Sequence, residues 1–532
     1  MDLLARLLVP ALIAVGTAFA QPSTPAEAAP KDDKVAVKDK PKEEAKSKPD
    51  EKSKASDKAK DEKKPKKSET KHSVTIDGQK IEYTATAGLM PLKDKEGKTT
   101  TAQIFYIAYT KDVGSEAAKR PLTFAFNGGP GSSSVWMHMG LLGPKRVKLQ
   151  DDGFAVPPPY EFIDNEYSLL DETDLVFIDP VGTGYSRSEK PEDGKKFWGV
   201  KEDAESVAEF IRLYVTKNTR WSSPKFLIGE SYGTTRAAAL SGELQRAHRM
   251  NLNGIMLVST VLNFQTIRFG EGNDLPYVLF LPTYTATAWY HKKLPADLQK
   301  LALDDVLKQA EAFAIGDYNQ ALLLGTSLDS AKRAAIVKQA ARLTGLTESF
   351  VERSNLRVSM SRFGAELLRD QNLNIGRFDS RFTSYVRDPL ANSTERDPSA
   401  DAVGSVFAST FNQYVRGELK YREDLPYQIT SSIIGDWNWG EKNGFVNVAN
   451  TLAEALTANP FMKVHVSCGF YDLATPWLAS RYTFNHLNAS PALAKNITID
   501  DYTAGHMMYL NIPDLKKQKG DLAKFIKTSC PE

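Results

Sequence analysis

Three side chains carry the chemistry that this sequence can do: Ser231, Asp472 and His506. A serine hydroxyl attacks an acyl carbon only when a base takes its proton, because its own acidity leaves almost no alkoxide at neutral pH. Histidine can be that base. A carboxylate can hold the imidazole tautomer and stabilise the imidazolium that forms. Ser231 lies within Gly229-Glu230-Ser231-Tyr232-Gly233, where the paired glycines permit a tight turn that lifts the hydroxyl above a sheet edge.

For this chemistry each residue must stand at the end of a strand. Lys225-Phe226-Leu227-Ile228 reads as a strand entering the Ser231 turn, and the small-residue run from Thr234 to Leu240 reads as the helix leaving it. Lys463-Val464-His465-Val466-Ser467-Cys468-Gly469 alternates like a strand, and Asp472 follows. Ile497-Thr498-Ile499 is a shorter strand, and His506 follows that. Upstream, Leu122-Thr123-Phe124-Ala125-Phe126 runs into Asn127-Gly128-Gly129-Pro130-Gly131-Ser132-Ser133-Ser134. A glycine-rich turn there can aim backbone N–H groups at a developing oxyanion; the expected donors are Gly129 and Tyr232, the residue after the nucleophile. The chain order Ser, Asp, His belongs to the α/β-hydrolase arrangement rather than to the chymotrypsin or subtilisin orders. The expected fold is α/β, with a central, mostly parallel sheet.

Seven histidines compete for the role of base. His72 borders a polar tail, and His248 and His291 sit among charged residues, where they are expected to be solvated. His465 lies inside a strand and reads as structural, while His486 falls on the helix after Asp472. His138 follows the glycine-rich loop and could line the site. Only His506 lies in a late post-strand loop with a glycine before it.

These motifs resemble those of the serine carboxypeptidase family. The matching pieces are Asn127 to Ser133, Asp179-Pro180-Val181-Gly182-Thr183-Gly184-Tyr185-Ser186, the Ser231 pentapeptide, the Asp472 segment and Ala504-Gly505-His506-Met507. The resemblance implies an α/β-hydrolase fold with an inserted helical region over the site, and release of C-terminal amino acids from peptides. It implies that Asn127 and Glu230 bind the substrate's C-terminal carboxylate. A carboxyl group binds a carboxylate well only when the two share one proton, so binding is expected to improve toward acidic pH. The chain departs from the family pattern at three places. Ala125 stands where a Trp is usual, Leu141 where some members have a second Glu, and Ser132 where a Cys is frequent. Esterase, acyltransferase and endopeptidase chemistry use the same scaffold. A catalytically idle binding protein is the reading from another class, and an intact Ser231, Asp472 and His506 argue against it.

Residues 7–20 are an apolar run of 14 residues behind Arg6 that ends in Ala18-Phe19-Ala20, the pattern of a cleaved secretory signal. The run is short for a membrane span. The protein is therefore expected to be exported, periplasmic or secreted, with no stable membrane insertion after cleavage. Residues 21–71 form a Lys/Asp/Glu-rich segment with too few large apolar residues to offset ordering entropy, and a disordered linker is expected. Between Lys31 and Lys71 it holds 16 lysines against 11 acidic residues. The whole chain's formal charge of +2 gives no case for a nucleic-acid partner. The remaining organisation is expected as a first core part at 72–265, a helical cap insertion at 266–425 and a second core part at 426–532. Trp437 and Trp439 are placed slightly in favour of the core. No metal-ligand motif occurs, so neither a metal nor another cofactor is expected, and two cysteines, Cys468 and Cys530, make no disulfide framework. The expected partners are peptides with a free C-terminus.

Overall fold

The computed structural model describes residues 67–394 and 396–530. The expected signal segment and nearly all of the charged linker lie outside the described residues. A ten-stranded sheet forms the centre. Its main strands are β1 (Lys67–Ile76), β2 (Gln79–Lys93), β3 (Thr100–Lys111), β4 (Leu122–Phe126), β5 (Asp174–Ile178), β6 (Lys225–Glu230), β7 (Gly254–Val258), β8 (Lys463–Gly469) and β9 (Ile497–Tyr502). Their spatial order is β1-β2-β3-β5-β4-β6-β7-β8-β9, and a two-residue strand at Arg187–Ser188 pairs with β3. From β5 to β9 every neighbouring pair is parallel; β1, β2 and β3 form an antiparallel ribbon on one flank.

The central strands read as unbroken apolar runs because both of their faces are covered. Every residue of β4, β5, β6 and β7 is buried. On one face, Phe124, Leu227 and Leu257 pack against α1 (Val200–Lys217), α2 (Tyr232–His248) and a later helix, Ala449–Ala458. On the other, Ala125, Phe226, Ile228 and Met256 pack against the C-terminal helix, Ile512–Ser529. Each Val, Leu, Ile or Phe so buried contributes about 1.5–3 kcal/mol relative to leaving it exposed.

One boundary differs from the sequence expectation. Strand β1 begins at Lys67, inside the stretch assigned to the linker, and its residues 67–71 pair antiparallel with Gly88 to Thr84. An edge strand needs backbone partners on one side only, so its polar alternation gives no apolar signal. The segment between β7 and β8 carries α3 (Leu275–Tyr290), α4 (Leu303–Phe313), α5 (Ser330–Thr344), a short hairpin pairing Leu373–Ile375 with Thr383–Tyr385, and α6 (Pro398–Gly417). Leu281, Tyr284, Val306, Ala310, Val337 and Phe363 form a hydrophobic cluster of their own. Helix α6 does not share it. Its Val403, Val406, Phe407 and Phe411 join the core beneath the sheet, beside Met137 and Leu142. No helix among the described residues is long and apolar enough to cross a membrane.

Candidate active site

The register of two parallel strands builds the centre of the site. Phe126 of β4 pairs with Gly229 of β6. The next residues, Asn127 and Glu230, therefore leave the sheet side by side, at the strand spacing of about 5 Å. Ser231 follows with φ +59° and ψ −128°, a conformation that a non-glycine residue holds only when its surroundings fix it. The crowding is visible at the glycines. A Cβ at Gly229 would stand 2.1 Å from the Gly233 carbonyl oxygen, and one at Gly128 would stand 2.4 Å from the Tyr232 nitrogen. The glycine-rich loop thus touches the backbone at the start of α2. Neither Gly129 nor Tyr232 donates its N–H to another described backbone group.

Asp472 and His506 come together. His506 Nδ1 lies 2.7 Å from Asp472 Oδ2. The Thr475 hydroxyl donates to the same oxygen at 2.7 Å, and the Ala474 and Thr475 amides donate to Oδ1 at 2.7 and 2.9 Å. With Nδ1 engaged, Nε2 is the imidazole nitrogen left to exchange a proton. Burial works against the charged imidazole, yet the charge and hydrogen bond of Asp472, joined by the charge of Glu230, hold it above its usual pKa. The His506 side-chain hydrogen bonds go to Asp472 and Thr475, and none goes to Ser231. Ser231 and His506 share the wall of one cavity of about 470 Å³, together with Asn127, Gly128, Gly129 and Glu230. Catalytic hydrogen bonds of this kind are often long until substrate is bound.

Glu230 is only 4% exposed. Burial pushes its carboxyl up to about 7, against the opposing pull of His506, Tyr509 and Asn127. The Tyr509 hydroxyl donates to Glu230 Oε2 at 2.6 Å. Asn127 is held from both ends: Oδ1 accepts from the Met137 amide at 3.0 Å, and its carbonyl accepts from Arg236 at 2.5 Å. Its Nδ2 has no hydrogen-bond partner among the described residues, although it lies near enough to Glu230 and Tyr509 to favour their ionised forms. A buried donor with no partner among the described residues, beside a buried carboxyl that keeps its proton toward neutrality, has the chemistry to hydrogen-bond an anionic group.

Several supports were not visible in the sequence. Arg236 is 1% exposed, donates to Asp203 at 2.6 Å and lies over the rings of Phe126 and Tyr232. An arginine inside a small-residue helix run was its one signal. Asp179, from the motif at 179–186, accepts from the Ser134 amide and hydroxyl at 2.8 Å each, which pins the glycine-rich loop. The insertion holds the base. The His506 amide donates to the Phe378 carbonyl at 2.6 Å, the imidazole stacks on the Phe378 ring at 5.0 Å, and Gly505 donates to Asp379 at 3.0 Å. Arg377 also lines the cavity.

Other residues go elsewhere. His138 does not line the cavity. It is buried against Phe177 with Tyr109 hydrogen-bonded to it at 2.7 Å, and burial pushes its pKa down to about 3. Its short helical turn points it inward, a direction that sequence spacing does not specify. His291 is half-buried rather than solvated, because the Ser380 carbonyl lies 2.7 Å from its Nε2. Trp437 packs edge-on against Tyr232 at 5.3 Å, and Trp439 against Phe264 at 5.2 Å. Cys468 and Cys530 are unpaired. No cluster of potential metal ligands exists among the described residues.

Comparison with known proteins shows the family and the fold. A sequence model of the serine carboxypeptidase family matches residues 77–506. Serine carboxypeptidase-like 36 of Arabidopsis thaliana is 32% identical over 148 residues, 27% of this chain and 29% of that protein. Pheromone-processing carboxypeptidase KEX1 of Saccharomyces cerevisiae is 32% identical over 159 residues, 27% of this chain and 20% of that protein. The matched segments span 20–36% of the length of these and a further curated relative. In fold it is similar to the crystal structure of Kex1Δp, a prohormone-processing carboxypeptidase from the same yeast. The TM-score is 0.53 at 17% identity, covering 84% of this chain and 92% of the other. With 77–506 matched to the family model, most of the sheet, the Ser231 turn and His506 all fall within the match, and the chain belongs to the serine carboxypeptidase family.

Proposed function

We propose that this protein is an exported serine carboxypeptidase that releases C-terminal amino acids from peptides, most effectively at acidic pH. The observation that carries the reading is the pairing of Asn127 and Glu230 beside Ser231. One offers a buried amide nitrogen, Nδ2, with no hydrogen-bond partner among the described residues, and the other is a buried carboxyl that holds its proton up to about pH 7. A protonated Glu230 shares its proton with the substrate's terminal carboxylate, and Asn127 Nδ2 donates to the same group. The scissile carbonyl then sits over Ser231.

Ser231 Oγ attacks that carbon while its proton passes to Nε2 of a neutral His506; part of what raises the imidazole's pKa is the Glu230 charge, which is absent once Glu230 holds its proton. The N–H groups of Gly129 and Tyr232 receive the oxyanion. The imidazolium, steadied by Asp472, gives the proton to the departing amine, and the C–N bond breaks. Water, deprotonated by His506, then hydrolyses the Ser231 ester and restores the hydroxyl. Export is supported by the apolar segment at 7–20 and its Ala18-Phe19-Ala20 ending.

The test is release of the last residue from N-blocked dipeptides between about pH 4 and 8, a range that spans the usual Glu and His values. C-amidated peptides and the Ser231→Ala protein run beside them. Cleavage of free acids, strongest at acidic pH and absent in the variant, is expected. Turnover of esters or amides alone, still dependent on Ser231, would replace the exopeptidase reading with an esterase or acyltransferase.

A further inference from the structure

One of the chain's departures from its family's pattern, Leu141, adjoins a glycine that packs against a tyrosine. Residue 141, where some members have a second glutamate, is a leucine buried to 1% exposure and carries no group that can address Glu230. The residue before it is Gly140. A Cβ there would stand 2.4 Å from Cε2 of the Tyr509 ring and 2.8 Å from Cδ2. The ring of Tyr509 therefore fills the space that any other residue at 140 would take, and its hydroxyl reaches Glu230 Oε2 at 2.6 Å. Tyr509 itself is 1% exposed.

We propose that Tyr509 belongs to the receptor for the substrate's C-terminal carboxylate, as the positioning residue that turns the protonated oxygen of Glu230 toward the cavity. The inference rests on the carboxypeptidase reading above.

The argument concerns where one proton sits. A carboxyl group can carry its proton on either oxygen. A phenol that donates to Oε2 makes that oxygen an acceptor, so the proton is directed to Oε1. Oε1 is then the oxygen presented to an incoming carboxylate. Without the phenol, both oxygens can carry the proton and the carboxyl can rotate, so only part of the population is set to donate. Glu230 reaches the cavity wall, as does Asn127, whose Nδ2 lies close to Tyr509 as well. Three polar groups from distant parts of the chain thus converge on one point: Asn127 after β4, Glu230 at the end of β6 and Tyr509 from the turn Met508–Leu510. A second glutamate on this face would add a carboxyl that must also lose or share a proton; a phenol supplies the donor and stays neutral across the working pH range.

The test measures binding without turnover. In the Ser231→Ala protein, calorimetry compares an N-blocked dipeptide as free acid and as amide at pH 5. With Tyr509 present, the free acid should bind more tightly. Tyr509→Phe keeps the ring that fills the space beside Gly140. It should weaken the free acid about tenfold, the size of one lost hydrogen bond to a shared-proton pair, and change the amide by less than about twofold. In a Glu230→Ala background, Tyr509→Phe should add nothing, since its effect passes through that carboxyl. Equal weakening of acid and amide, an unchanged acid affinity, or an undiminished effect in the Glu230→Ala background would each overturn the inference and leave the carboxypeptidase reading standing. Failure of the protein with Tyr509 intact to distinguish acid from amide would instead remove that reading, and this inference with it.

Discussion

Replacing Glu230 by glutamine should change stability and substrate affinity along the same titration. Glu230 has its folded pKa raised by burial from 4.5 to about 7. A carboxyl whose pKa is raised on folding binds a proton more tightly in the native state, so it costs no stability below its unfolded value. The cost grows as pH rises from 4.5 and is complete above about 7. At 1.36 kcal/mol per unit, the full cost is about 3 kcal/mol. Glutamine occupies the same volume, can still accept from Tyr509 and does not titrate. Whatever constant offset the amide brings, the stability difference between Glu230→Gln and the parent should move by about 3 kcal/mol in the variant's favour between pH 4 and pH 8. At about 2 cal/mol/K of unfolding entropy per residue, a folded region of this length gains roughly 3 °C in Tm. Calorimetric scans of the two proteins across that range read the difference directly. The same samples should show KM for free-acid dipeptides rising above about pH 7 in the parent and staying level in the variant, whose amide always donates. A Tm difference independent of pH, or a parent KM that is flat through neutrality, would refute the account of Glu230 as a buried, proton-holding carboxyl.

Asp472→Asn keeps the shape of the site but removes the charge that steadies the imidazolium, and kcat should fall about ten-thousand-fold with little change in KM, as steady-state kinetics would show. Gly128→Ala places a methyl group 2.4 Å from the Tyr232 nitrogen, so the loop must retreat from the elbow. The expected result is a loss of about 100- to 1000-fold in kcat, read in single-turnover assays, the size of one misplaced oxyanion donor. Arg236→Met leaves Asp203 buried without its partner. The variant should lose about 3–5 kcal/mol in chemical denaturation, and the pairing of Arg236→Met with Asp203→Asn should recover part of it.

Ser231, Asp472, His506 and the glycine-rich loop were legible because each stands where a strong local pattern ends, and strand ends are what a parallel sheet uses to gather distant residues. Asn127 and Glu230 were named on the family resemblance; their adjacency follows from the pairing of Phe126 with Gly229, which no local pattern carries. Tyr509 was invisible because its partner lies 279 residues away and nothing in a short turn announces a contact. His138 shows the converse. Its place beside the loop was readable from spacing, but the direction of a one-turn helix depends on what lies beneath it. The first residues of β1 were lost for a similar reason, since pairing with β2 through backbone groups leaves their side chains free to be polar.

The insertion's hold on His506 also ties the base to a part of the chain remote from the nucleophile turn. Asn127, Glu230 and Ser231 precede the segment that carries Phe378 and Asp379, and His506 comes near the end of the described chain. Along the chain, the nucleophile turn and its neighbours Asn127 and Glu230 therefore come first, and His506 and Tyr509 come almost together near the end. The loop bearing His506 is held at three points: the Phe378 carbonyl accepts from its amide, the Asp379 carboxylate accepts from that of Gly505, and the Ser259 hydroxyl donates to the His506 carbonyl. The seat of His506 is thus built from three separate stretches of chain, so damage to the insertion, far from Ser231 in sequence, should reach the imidazole before it reaches the nucleophile turn.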